Sequence, residues 1–69
     1  MITLSQIQTR LAEAIQSCGL SQSELARKLN IRQSNISYYI KGNTMPALDT
    51  LANLCKLLDV DANYILCQD

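Results

Sequence analysis

Apolar residues recur along this chain at steps of three and four, with no sustained alternation. That spacing marks amphipathic helices rather than strands. Leu4, Ile7, Leu11, Ile15 and Cys18 share one face and predict a helix over about residues 5–18, with Gln6, Gln8, Arg10, Glu13 and Gln16 largely off that face. Gly19 follows, where a left-handed residue closes a helix. A second helix, residues 22–29, opens on a capping box: Ser21 caps and Glu24 reaches back. Its inner face is Leu25, Ala26 and Leu29, and Asn30 then takes a left-handed position that otherwise favours glycine. A third helix starts near Arg32 or Gln33 and runs to about Lys41, ending at Gly42. Ile36, Tyr39 and Ile40 form its inner side; Gln33, Ser34, Ser37, Tyr38 and Lys41 lie mostly opposite. A fourth, about residues 47–58, carries Leu48, Leu51, Leu54, Cys55 and Leu58 behind Pro46, which suits a helix start. Asp61 caps a last turn over residues 62–66. The expected fold is all-α: four to five short helices around one core, in a single domain spanning residues 1–69.

Composition narrows the function classes. A chain of 69 residues buries only ~60% of its unfolded surface, so it needs a dense core. The hydrophobic fraction of 48% provides one. There is no histidine, and the three cysteines, Cys18, Cys55 and Cys67, show no CxxC spacing. This argues against a zinc site and for reduced thiols. The missing histidine also argues against acid/base catalysis, so no enzyme activity and no cofactor are expected. The N-terminus lacks the form of a signal peptide, and no apolar run approaches the ~20 residues of a membrane span. A soluble, cytoplasmic protein with no evident small-molecule ligand is the expectation.

Charge is informative locally. The net charge is zero and the sequence pI about 6.1. Yet residues 25–48 hold four basic residues, Arg27, Lys28, Arg32 and Lys41, and no acid, whereas residues 49–69 hold four acids and one base, Lys56. The expectation is a basic face and an acidic rear. Phosphate contacts depend on local charge, so overall neutrality does not exclude nucleic acid.

The stretch LSQSELARKLNIRQSNISYYIKGNTMP, residues 20–46, adds specificity. It resembles the Cro/cI-type (XRE) helix-turn-helix family in Leu20-Ser21-Gln22, Glu24-Leu25-Ala26, Leu29-Asn30-Ile31, Ile36-Ser37 and Lys41-Gly42 followed by Pro46. LDTLANLCKLLDV, residues 48–60, looks like the family's fourth helix, so the resemblance covers about residues 5–66. It implies a lambda repressor-like domain with its helix-turn-helix at about residues 21–41. It further implies a sequence-specific regulator of double-stranded DNA, acting as a repressor and bound as a homodimer to half-sites ~34 Å apart. Ala26 would sit where the two helices cross. Base-reading positions carried over from the family are Arg32, Gln33 and Ser34, with Ser37 and Tyr38 one turn on. Phosphate positions are Gln22, Asn35, Lys41, Asn43 and Thr44. Arg27 and Lys28 would lie on the back of the second helix, and Tyr39 in the core.

Many family members carry an Arg–Glu pair where this chain has Ile15 and Ile40. Joint replacement of a buried ion pair by hydrophobes is often neutral or stabilising, so these two isoleucines are expected to meet. The segment 60–69 leaves two readings open. Val60 with Tyr64 or Ile65 completes the monomer core, or Ile65, Leu66 and Cys67 form a two-fold interface. An alternative function is a protein-interaction module of the same fold, of antitoxin or adaptor type, for which the same apolar cluster would serve.

Overall fold

Caps and left-handed stops determine where each helix begins and ends. The computed structural model describes residues 1–69 and holds five helices: α1 (Leu4–Ser17), α2 (Gln22–Leu29), α3 (Gln33–Lys41), α4 (Leu48–Leu58) and α5 (Ala62–Ile65). α1 starts on a capping box that the apolar pattern does not reveal: Thr3 N donates to Gln6 Oε1 at 2.8 Å and Gln6 N to Thr3 Oγ1 at 3.3 Å. The expected box at α2 is present, with Glu24 N donating to Ser21 Oγ at 3.1 Å. Asp61 caps α5 by accepting from Asn63 N at 2.9 Å.

Four helices end in one way. Asn30, Gly42, Asp59 and Cys67 take left-handed φ of 57°, 75°, 54° and 60°. The next residue's N–H then reaches back to a carbonyl five residues earlier: Ile31 to Ala26, Asn43 to Tyr38, Val60 to Cys55 and Gln68 to Asn63, at 2.7–3.0 Å. These are Schellman stops, which satisfy carbonyls that helix ends leave free.

Every helix contributes to one core of Leu11, Ala14, Ile15, Leu25, Ala26, Ile36, Tyr39, Leu51, Leu54, Cys55 and Ile65, and no polar side chain is buried. The Cα radius of gyration, 11.0 Å, matches the ~11 Å of a compact chain of this length. Ile15 is buried and Ile40 packs against the same core, on helices that lie against each other. Burial pushes the Tyr39 phenol up, so it stays neutral. Burial, with help from Asp61, also raises the Cys55 thiol, which makes it a poor nucleophile.

Three expectations need correction. Leu4 and Leu48 are not core residues but are 58% and 85% exposed. Each is the first residue of its helix, where the side chain leans back beyond the packed turns. Ile65 is 1% exposed, so it closes the monomer core and is not available to a two-fold interface. Leu66, expected in the last helix, instead follows it, half-buried beside a half-buried Cys67.

Candidate nucleic-acid interface

Three residues, Asn30–Arg32, join α2 to α3. The left-handed Asn30 reverses the chain, and Ile31 N bonds to Ala26 O at 3.0 Å, which ties the turn to α2. Leu25 and Ala26 from α2 meet the core beside Ile36 and Tyr39 from α3. Because α3 packs against both α1 and α2, its opposite side must face outward.

At 100° per residue, Ser34, Ser37, Tyr38 and Lys41 fall within about 100° of one another on that side, and Gln33 and Asn35 flank them. Arg32 caps the helix with its backbone only. The adjacent tyrosines separate as helical geometry requires: Tyr38 is 45% exposed and Tyr39 6%. Arg32, Gln33, Ser34 and Lys41 are exposed, while Asn35 and Ser37 are half-buried. Asn43 and Thr44 are exposed just beyond Gly42, and Gln22 is exposed at the first position of α2. None of these ten side chains makes a hydrogen bond within the chain, so their donors and acceptors are available.

The charge map is less simple than a basic face and an acidic rear. Lys28, exposed on α2, lines a shallow groove with Asn53 and Lys56 of α4. A base from the acidic half of the sequence thus comes round to one from the basic half. Arg32 and Lys41 stay at the two ends of α3 with no ion-pair partner, because the chain's single ion pair joins Arg10 to Asp69 at 2.7 Å.

Arg10 is a structural residue that periodicity passes over. Its guanidinium donates to Tyr64 O at 2.7 Å and to Asp69 Oδ1, and it lies 4.7 Å from the centre of the Tyr64 ring. The hydrogen bond from Arg10 holds the Asp69 carboxyl below the ordinary aspartate range. A depressed carboxyl stabilises the fold above its unfolded value and loses that contribution as pH falls through its folded value. Docking of the last residues is therefore expected to weaken only on the acid side of about pH 4. Carboxyl carbon NMR checks this: Asp69 should titrate low in the native chain and return to the ordinary range in Arg10→Gln. Equal titration in both would show that the pair is not formed in solution.

Comparison with known proteins agrees with this architecture. Residues 11–65 match the helix-turn-helix family. Over 60 residues, 87% of the chain, it is 43% identical to the HTH-type transcriptional regulator ImmR of Bacillus subtilis (strain 168), covering 47% of that protein. Over 69 residues, 100% of the chain, it is 36% identical to the HTH-type transcriptional regulators for conjugative elements R391 of Providencia rettgeri and SXT of Vibrio cholerae, covering 30% of each. The chain thus spans less than half the length of these curated relatives. No helix is long and apolar enough to cross a membrane. With a helix-turn-helix in place between residues 22 and 41 and the family match running through it, the chain belongs to the Cro/cI-type (XRE) helix-turn-helix family.

Proposed function

We propose that this chain binds double-stranded DNA sequence-specifically and regulates transcription, as a repressor, by docking α3 in the major groove. The observation that carries the reading is the outward side of α3. It is free of acids, bounded by Arg32 and Lys41, and made of side chains with no partner in the chain. The major groove, ~12 Å wide, admits a helix of this kind. Gln33 suits adenine N6/N7 and Arg32 suits guanine O6/N7, with Ser34, Ser37 and Tyr38 completing the base-facing set. Gln22, Asn35, Lys41, Asn43 and Thr44 take phosphates and set the register. The names of the relatives that regulate conjugative elements favour a mobile-element regulator.

Few positive charges reach the DNA from one copy, so pairing of two copies on a palindromic site would supply avidity. Support for pairing is a groove of mixed apolar and polar character between α1 and the C-terminal segment. Ile2, Tyr64 and the half-buried Cys67 line this groove around Arg10, and Leu66 is half-buried nearby in sequence.

Binding to duplex DNA from upstream of the chain's own gene and to random duplex, each at 50 and 200 mM salt, tests the proposal. Expected are a preference for the upstream DNA, two copies per site and a steep loss of affinity with salt. Equal indifference to both DNAs would reject the reading in favour of a protein-binding module.

A further inference from the structure

Only three side-chain hydrogen bonds join residues far apart in sequence, and all three come from α1. Two are Arg10's, to the C-terminal segment. The third runs from Gln8 Nε2 to Gly42 O at 3.0 Å, across 34 residues. Gly42 is the left-handed stop of α3, with φ of 75°. Its own N–H and that of Asn43 turn back onto Tyr39 and Tyr38, but its carbonyl has left the helix and receives no backbone donor. Gln8 fills that vacancy. It also lies against the open side of the glycine: a Cβ at Gly42 would stand 3.5 Å from Gln8 Oε1 and 3.7 Å from Cδ. With Ile15 and Ile40 both apolar, α1 and α3 otherwise meet through hydrophobic contact. Such contact has no preferred direction, whereas a hydrogen bond does.

We infer that Gln8 is a positioning residue for the DNA-contacting end of α3, a role that rests on the DNA-binding reading above. By bonding the Gly42 carbonyl it holds the turn that carries Lys41, Asn43 and Thr44, so those groups meet phosphate from one fixed place. Gln8 itself need not touch DNA.

Gln8→Met tests the inference, because Met is neutral, of similar length and a good helix former, and lacks the amide whose Nε2 makes the bond, while the lost Oε1 makes none. Loss of one neutral hydrogen bond should weaken binding to the preferred upstream DNA about fivefold. The slope of log affinity against log salt should fall toward that of Lys41→Ala, about one phosphate contact less. In a Lys41→Ala background the Gln8→Met effect should largely vanish. Amide exchange should rise at Gly42 and Asn43, whose N–H groups bond back to Tyr39 and Tyr38, while α3 stays protected. A purely stabilising role would instead lower Tm with the salt slope unchanged and the two substitutions additive, and that result overturns the inference. Unchanged exchange at Gly42 and Asn43 overturns it too. No DNA binding by the unsubstituted chain rejects the functional reading itself, and the inference with it. Normal binding by that chain with an unaltered slope in Gln8→Met rejects the inference alone.

Discussion

Replacing Ile36 with alanine is expected to lower the melting temperature by at least about 10 °C. Ile36 is fully buried, from the inner side of α3. Isoleucine-to-alanine changes in a core cost about 2–5 kcal/mol, part transfer and part cavity. A domain of this length has only about 3–10 kcal/mol to lose. Each kcal/mol moves Tm by about 4–8 °C in so small a domain. Leu48→Ala is the control, because Leu48 is 85% exposed and such changes stay within about 0.5 kcal/mol. Circular dichroism melts of the two variants settle the matter. Equal, small shifts would mean that α3 is not anchored through Ile36. The same loss should also appear as weakened DNA binding, since an α3 without its anchor presents no fixed surface.

The second large effect separates reading from anchoring. Gln33→Ala is expected to reduce discrimination at one base pair by about 1–3 kcal/mol, roughly 5- to 150-fold, while binding to random DNA changes little. Lys41→Ala is expected to weaken binding to all sequences alike and lower the salt slope by about one. Neither side chain has a partner within the chain, and both residues are exposed, so stability should barely move. A panel of single-base operator variants, titrated at two salt concentrations, distinguishes these outcomes. Identical behaviour of the two variants would sink the assignment of separate roles.

Much of the fold is legible in the sequence because its signals are local. Ser21 with Glu24, Asn30, Gly42 and Asp61 mark helix ends through bonds that span a few residues. Apolar periodicity identifies Leu11, Ile15, Leu25, Ala26, Ile36, Tyr39, Leu51, Leu54 and Cys55 as inward-facing. It also separates Tyr38 from Tyr39, and so outlines the outer side of α3. The signal weakens where a pattern says which side of a helix is apolar but not how far along that side a neighbour extends. Leu4 and Leu48 continue their stripes past the last packed turn, and water reaches them. For Ile65 the sequence leaves core and interface equally open, because a four-residue helix is too short to show a period.

Helix identity, the stops at Asn30 and Gly42 and the composition of the outer α3 side were therefore determined by the sequence alone, whereas the left-handed stops at Asp59 and Cys67 were not. Only the tertiary structure decided that Ile65 turns inward, that Lys56 joins Lys28, and that Arg10 holds Tyr64 and Asp69. It alone brought Gln8 to the carbonyl of Gly42. These partners are separated by 28 to 59 residues for the polar pairs. No spacing rule reaches that far: such meetings depend on how the helices pack, and the shared burial of apolar surface from all five sets that packing.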